Sequence, residues 1–249
     1  MIKPSLTLCP GLPRSGTTSL WYMLEKAKFF NIICKEPHFL TVLSDDKTDC
    51  STFFPKEYKN RYHQYVYSLN EIEPPYSLDL YKKYIKDSPY DFSQSYWYIS
   101  ENYLEEIKQS LSDFDIKIIL LYRDPVMRLY SYWNMVCSDW NLDYTPIQLY
   151  YMSLERDDCI NLYPNLYNKF KRVFDNVICL KTETFFTNDK EQQRLLNFLG
   201  LPLVELDNIY KNRSDVCSQL SANDIEIGKH KLKSSYDFYL NNAIFEGKQ

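Results

Sequence analysis

Paired cysteines are absent from this chain: none of its seven cysteines stands in a C-x-x-C pair, and no histidine partners them at metal-ligand spacing. The sequence therefore lacks the patterns that are typical of structural metal sites. An odd number of cysteines without such pairs also argues against a disulfide framework. We expect reduced, mostly buried thiols in a reducing compartment, which predicts a cytoplasmic protein.

Long hydrophobic runs and an excess of basic charge are also missing. The longest apolar stretch, residues 116–122, is interrupted by Lys117 and is far too short to cross a bilayer. Residues 1–4 lead directly into the first predicted strand, so we expect neither a signal peptide nor a membrane anchor. The formal net charge of −4 argues against a broad basic face. We therefore expect no nucleic-acid partner and only local anion sites.

The chain is rich in aromatic side chains instead. It has 249 residues, of which 45% are apolar, 25% are charged and 23 are tyrosines. The length and composition fit one globular domain over residues 1–249, without an internal repeat or a low-complexity linker. We expect most tyrosines to pack at the edge of the core, with a minority available to stack on a base or a sugar.

One stretch near the start carries the features of an anion site. Residues 6–24 read LTLCPGLPRSGTTSLWYML, the pattern of a strand, a tight loop and a helix start. Helix starts and loop amides bind phosphate or sulfate, and hydroxyls and an arginine add donors. The alternative is a plain turn before a capped helix. The residues expected to bind the anion are Arg14, Ser15, Gly16, Thr17 and Thr18.

This loop differs from the nucleotide-binding P-loop in one position. Gly11 to Gly16 fits the first part of G-x-x-x-x-G-K-[ST], but Thr17 stands where the nucleotide-gripping lysine belongs. No clear Mg²⁺-binding carboxylate motif is present either. A P-loop-type kinase of nucleotides or small molecules is therefore the weaker hypothesis.

The rest of the chain alternates between strand and helix patterns. We predict strands at 31–34, 117–122 and 176–181, and helices at 57–69, 77–85, 95–111, 145–155, 163–174 and 189–199. A further helix begins at Pro125, and a terminal helix follows a loop that ends near Ser221. This order predicts a three-layer α/β fold, P-loop-like, with a central parallel sheet flanked by helices.

Two more groups of residues follow predicted strands. RDPVMRLYS places Arg123 at a strand end and Ser131 two turns into a helix, and both can reach one phosphate only above that helix start. The alternative for Arg123 is a helix cap or a pair with Asp124. Glu36 and His38 are expected on the same rim, because ligand groups of parallel sheets lie beyond the carboxyl ends of strands. An exposed carboxylate and a satisfied surface histidine are the alternatives there.

These motifs together resemble a known family over nearly the whole chain. GLPRSGTTSL is similar to the 5′-phosphosulfate loop of sulfotransferases that use 3′-phosphoadenosine 5′-phosphosulfate (PAPS), and RDPVMRLYS resembles their 3′-phosphate motif. KEPHF, residues 35–39, resembles the base-bearing segment of the heparan-sulfate and carbohydrate branch. The later pattern from Tyr163 through Glu183 and the terminal helix also resemble that branch.

The resemblance implies an activity and assigns roles to residues. It implies metal-independent transfer of a sulfuryl group from PAPS to a hydroxyl or amine of a carbohydrate or other small acceptor, with 3′-phosphoadenosine 5′-phosphate (PAP) as product. Glu36 aligns with the general base and His38 with a residue near it. The residues implied to bind PAPS are Arg14, Ser15, Gly16, Thr17 and Thr18 at its 5′ end, and Arg123 and Ser131 at its 3′-phosphate.

The chain departs from the family pattern at three places. Arg14 replaces a lysine of many relatives, and arginine serves better as an electrostatic clamp than as an acid. Residues 92–96 resemble a substrate-contacting segment but lack a common lysine, and Lys211 and Arg213 are only candidates for the basic cofactor loop. A non-catalytic protein that binds PAP or PAPS is the remaining alternative.

Overall fold

A sheet of four parallel strands lies at the centre of the part of the chain that the structure describes. The computed structural model describes residues 3–29, 36–43, 77–206 and 219–241. The predictions for residues 31–34 and 57–69, and for Lys211 and Arg213, lie outside these residues. The strands are β1 Ser5–Leu8, β2 Tyr90–Asp91, β3 Asp115–Tyr122 and β4 Asn176–Lys181. They are arranged in the order β2-β1-β3-β4.

Strand β3 shows why the sheet is covered on both faces. Its side chains alternate between two core clusters: Ile118 and Leu120 belong to one, and Ile119 and Leu121 belong to the other. A strand that is buried on both faces reads as a continuous apolar run, which is the pattern of a parallel sheet. The predicted three-layer α/β fold with a central parallel sheet is thus confirmed.

Helices pack on both faces of this sheet. The helices Thr17–Lys26 and Asp189–Leu199 contribute to one core cluster, while the helices Glu101–Ser110, Pro125–Trp140 and Leu162–Val173 contribute to the other. The bounds are α1 Thr17–Lys26, α2 Phe39–Leu43, α3 Leu78–Asp87, α4 Glu101–Ser110, α5 Pro125–Trp140, α6 Pro146–Ser153, α7 Asp157–Ile160, α8 Leu162–Val173, α9 Thr182–Phe185, α10 Asp189–Leu199, α11 Ala222–Lys231 and α12 Lys233–Asn241.

Two segments differ from the predicted helices. The prediction of one helix over 95–111 is wrong, because a 3₁₀ helix, Gln94–Tyr98, precedes α4, and the chain is extended at Ile99 between them. The Ser100 hydroxyl accepts a hydrogen bond from the Tyr103 amide and so starts α4 anew. The terminal helix is likewise two helices, α11 and α12, which meet at Leu232.

The cysteines of the described segments, Cys9, Cys137, Cys159 and Cys179, form no disulfide bond with one another. Burial raises the pKa of Cys159 and of Cys179 to about 12, so both stay protonated at neutral pH. Across the same segments, no helix combines the length and the apolar character that crossing a bilayer requires.

Candidate active site

The loop between β1 and α1 ends at Gly16, which adopts a left-handed conformation with φ of 89° and turns the chain into the helix. Gly16 has no side chain that could cap this helix start, which presents the positive end of the helix dipole. Ser15 is fully buried, and its hydroxyl has no hydrogen-bond partner in the described part of the chain. Such a hydroxyl beside a helix start suits a bound anion.

Close packing holds this loop from both sides. The Thr182 hydroxyl donates to the Ser15 carbonyl at 2.6 Å, and a Cβ on Gly16 would lie only 3.1 Å from Phe186. At the other end of the loop, a Cβ on Gly11 would lie 2.9 Å from the Gln94 carbonyl, and φ there is 114°. Glycine is therefore required at both ends of the loop.

The two predicted phosphate motifs contact each other through Arg14. The Arg14 side chain donates from Nε to the Ser131 hydroxyl at 3.0 Å, and Arg123 donates from Nη1 to the Arg14 carbonyl at 3.2 Å. This contact arises because β1 and β3 are neighbours in the sheet and both loops leave at their carboxyl ends. Thr17 is buried and Thr18 half-buried in the first turn of α1.

The junction between β3 and α5 is held by a helix cap and by tyrosine hydroxyls. One carboxylate oxygen of Asp124 accepts from the amides of Val126 and Met127, both at 3.0 Å, which caps α5. The other oxygen accepts from the Tyr236 hydroxyl. The Tyr163 hydroxyl donates to the carbonyl of Arg123, the residue before Asp124.

The structure also brings Glu36 and His38 together. The distance between His38 Nε2 and Glu36 Oε2 is 3.4 Å, and the other Glu36 oxygen accepts from the Gln94 side-chain amide at 3.0 Å. The Glu36 side chain is 22% exposed, whereas that of His38 is only 4% exposed. Glu36 is therefore the member of the pair that a ligand in solution reaches.

A buried carboxylate, Asp91, binds residues of the segment that contacts this pair. Asp91 is fully buried at the end of β2, and burial raises the pKa of its carboxyl. One oxygen accepts from the hydroxyls of Tyr81 and Tyr96 at 3.0 and 2.5 Å. The other accepts from the amide and hydroxyl of Ser93 at 3.0 and 2.5 Å. Four donors thus satisfy one carboxylate that is removed from water.

The network reaches His38 through Ser93, and Ser95 of the same segment contacts the His38 ring. The Ser93 hydroxyl oxygen accepts from the His38 backbone amide at 2.8 Å, and Ser95 Oγ lies 2.6 Å from His38 Nδ1. His38 itself has a positive φ of 52°, an uncommon conformation for a non-glycine residue. Contacts on the backbone and the ring therefore fix the orientation of this histidine.

Sequence reasoning missed several residues of the site. The two-residue strand β2 is too short for periodicity to reveal, and Asp91 was missed with it. No local sequence pattern marks Gln94 as a site residue, yet its side chain binds Glu36 and its carbonyl lies close to Gly11. The segment 92–96 was singled out only by resemblance, which was the one available signal.

Solved structures with a similar fold are sulfotransferases. The sulfotransferase from Alicyclobacillus acidocaldarius aligns with a TM-score of 0.58 at 18% identity, over 96% of this chain and 100% of that one. The sulfotransferase domain of the Synechococcus PCC 7002 olefin synthase aligns with a TM-score of 0.52 at 15% identity, over 100% of this chain and 98% of that one. At such identities the likeness supports the fold.

Sequence comparison assigns the family. No curated protein matches this chain significantly. A family model described as a sulfotransferase domain matches residues 5–231, a range that contains both strand-to-helix junctions as well as Glu36 and His38. The P-loop-like α/β fold described above is the fold of that family. The chain therefore belongs to the sulfotransferase family.

Proposed function

We propose that this protein transfers a sulfuryl group from PAPS to an acceptor hydroxyl. The observation that carries the proposal is the contact of the two junctions, in which Arg14 donates to Ser131 and Arg123 donates to Arg14. It brings a helix-start anion site beside a second arginine and serine. A ligand with two separate anionic ends, such as PAPS, matches this arrangement.

The loop before α1 suits the 5′-phosphosulfate end. Ser15 offers a buried hydroxyl that lacks a partner among the described residues, next to the helix start at Gly16. Backbone amides of the first turn, together with Thr17 and Thr18, would add donors for the same group. The loop fits the 5′-phosphosulfate because its donors are backbone amides, hydroxyls and the Arg14 guanidinium. The guanidinium gives this set of donors one positive charge.

Arg123 and Ser131 would hold the 3′-phosphate. Arg123 is a forked donor with a permanent charge, and its backbone lies at the carboxyl end of β3. Ser131 is nearly fully buried, two turns into α5. Together they give the site a preference for nucleotides with a 3′-phosphate over ATP and 5′-AMP.

The transfer step assigns a proton acceptor and a charge clamp to this chain. PAPS supplies a sulfuryl group attached to a phosphate leaving group, and no metal is needed for its transfer. Glu36 accepts the proton of the acceptor hydroxyl, whose oxygen forms the new S–O bond. As the old S–O bond breaks, its electron pair stays on the phosphate of PAP. The Arg14 guanidinium stabilises that negative charge.

Exposure supports Glu36 rather than His38 as the base that meets the acceptor. The Glu36 carboxylate is 22% exposed, while the His38 ring is 4% exposed and engaged by Ser95. His38 and Gln94 would then orient the two Glu36 oxygens. The resemblance of residues 35–39 to the carbohydrate branch favours a hydroxyl of a carbohydrate or glycoconjugate, and an amine would follow the same chemistry. A screen of acceptors with labelled PAPS tests this choice.

Ligand-dependent stability separates this function from its alternatives. A ligand present at 100 times its Kd adds about 2.7 kcal/mol to the free energy of unfolding. Thermal unfolding should therefore shift upward with PAP and PAPS but much less with ATP. A larger shift with ATP would indicate a kinase instead. Stabilisation by PAPS without product formation from any acceptor would indicate a non-catalytic binding protein.

The 3′-phosphate assignment has a direct test in Arg123→Ala. This variant should bind PAP far more weakly, whereas adenosine 5′-phosphosulfate, which has no 3′-phosphate, should keep most of its affinity. Arg172→Ala is the control, because Arg172 is 60% exposed and pairs with Glu101 on the surface. Calorimetry with both ligands measures the difference. Equal losses for both ligands in Arg123→Ala would refute the assignment.

A further inference from the structure

We propose that three tyrosines of α8 and α12, namely Tyr163, Tyr236 and Tyr239, position the residues that bind the 3′-phosphate. Their hydroxyls converge on the junction between β3 and α5, and we call them the junction tyrosines. The inference rests on the proposed function, because it concerns the half of the site that contains Arg123. It also gives a role to part of the unusual tyrosine content of the chain.

The peptide unit between Arg123 and Asp124 is held at both of its polar groups. Its carbonyl oxygen, which belongs to Arg123, accepts from the Tyr163 hydroxyl at 2.5 Å. Its N–H group, which belongs to Asp124, donates to Glu183 Oε1 at 2.9 Å. Because the peptide unit is planar, these two bonds fix its orientation. They thereby set the direction in which the Arg123 side chain leaves the backbone.

The Tyr236 hydroxyl acts on the next residue along the chain. It donates to the Asp124 oxygen that does not cap α5, while the other oxygen binds the amides of Val126 and Met127. The Asp124 carboxylate is thus held on both sides. Since this cap places the start of α5, it also determines where Ser131 lies relative to the strand end.

Tyr239 completes the arrangement through Glu183. Its hydroxyl donates to Glu183 Oε2 at 2.9 Å, and this bond orients the carboxylate whose other oxygen binds the Asp124 amide. The Lys181 ammonium lies 4.0 Å from the centre of the Tyr239 ring, a cation–π contact that holds the ring in place. Tyr236 and Tyr239 stand three residues apart, so both project from one face of α12.

A positioning role differs from ordinary packing in what a Tyr→Phe change removes. Phenylalanine keeps the ring and its packing but deletes the hydroxyl that reaches the junction. If the hydroxyls only stabilised the fold, all ligands of the folded protein would bind as before. If they position Arg123, affinity should fall selectively for ligands that carry a 3′-phosphate.

The decisive variants are therefore Tyr236→Phe and Tyr239→Phe, with Tyr163→Phe as a third. Each should weaken PAP binding roughly three- to tenfold, the range expected for one positioning hydrogen bond, while adenosine 5′-phosphosulfate binds unchanged. Tyr167→Phe is the matched control, because its ring also packs between α8 and α12, 5.5 Å from the Phe238 ring. Calorimetry with both ligands, together with the melting temperature, gives the readout.

The outcomes separate this inference from the proposed function. A lowered melting temperature with an unchanged ratio of PAP to adenosine 5′-phosphosulfate affinity would overturn the positioning role. If Arg123→Ala changes that ratio and Tyr236→Phe does not, the inference alone fails. If Arg123→Ala leaves it unchanged, the 3′-phosphate assignment itself fails. Tyr236 is half-buried rather than buried, so its variant is the least disruptive and decides the question.

Discussion

The two halves of the candidate site are built in different ways. The cofactor half, Arg14, Arg123 and Ser131, lies where β1 and β3 end and in the helix after β3. The acceptor half, Glu36 and His38, depends on side chains 55 to 58 residues away in the chain. Regular elements therefore bring the first half together before the junction tyrosines orient it, whereas a side-chain network alone joins the segments of the second.

Each half contains a carboxylate that accepts from at least one tyrosine hydroxyl, and the two carboxylates differ in their other partners. Asp124 is only partly buried and caps its own helix through two amides of the next turn. Asp91 is fully buried and binds Tyr81, Ser93 and Tyr96, so it joins separate segments. Damage to Asp91 should therefore affect the fold more than damage to Asp124.

The largest expected effect concerns the acceptor half. Glu36→Gln keeps the shape of the side chain but removes the proposed proton acceptor, so kcat should fall by about 10²–10⁴-fold, the scale of general base catalysis. The affinity for PAPS should survive, because the cofactor half is placed independently. Steady-state rates against pH should also lose their low-pH limb.

A surface carboxylate provides the control for this experiment. Glu226→Gln should leave the rates unchanged, because Glu226 is 71% exposed and pairs with Lys229. Near-normal turnover of Glu36→Gln on the true acceptor would place the base elsewhere, with His38 as the next candidate.

The second prediction tests how the cofactor half contributes to the rate. Arg14→Ala should lower kcat by about 10²–10³-fold, the usual cost of removing a donor at a developing negative charge. The KM for PAPS should rise by a smaller factor than the one by which kcat falls. Arg14→Lys should retain part of the activity, because lysine keeps the charge. An unchanged kcat in Arg14→Ala would mean that the residue only joins the loop to Ser131.

The third prediction compares the two carboxylates by stability. Asp91→Asn leaves a buried network with one acceptor too few, which should cost about 1–3 kcal/mol and lower the melting temperature by some 2–10 °C. Asp124→Asn should cost about half a kcal/mol or less, because asparagine caps helices nearly as well as aspartate. Equal losses in the two variants would remove the proposed difference between the halves.

The pH dependence of Asp91→Asn sharpens the same comparison. Burial raises the pKa of the Asp91 carboxyl, so its ionisation opposes folding. The stability that Asp91 contributes therefore decreases as the pH rises from the ordinary aspartate pKa through the raised one. The difference in unfolding free energy between the parent protein and Asp91→Asn should narrow over this interval. Chemical denaturation at several pH values measures it.

The contrast between the halves also explains which predictions from the sequence succeeded. The continuous apolar run of β3 and β4 and the stop at Gly200 are local patterns, and the structure confirms them. Residues 95–111 show helical spacing throughout, but residues 95–98 belong to the 3₁₀ helix Gln94–Tyr98, in which Gln94 binds Glu36 and Tyr96 binds Asp91. Tertiary contacts overrode the local preference there.

Local chemistry thus sets the turn at the end of the cofactor loop and the cap at the start of α5. Gly16 turns the chain and Asp124 caps the helix through bonds to residues only two or three positions away. Gln94, which binds Glu36, and the partners of the junction tyrosines lie 40 to 112 residues distant along the chain, and no periodicity connects them. Such pairs meet only once the sheet brings its strand ends to one edge, because side-chain hydrogen bonds depend on distances in space rather than along the chain.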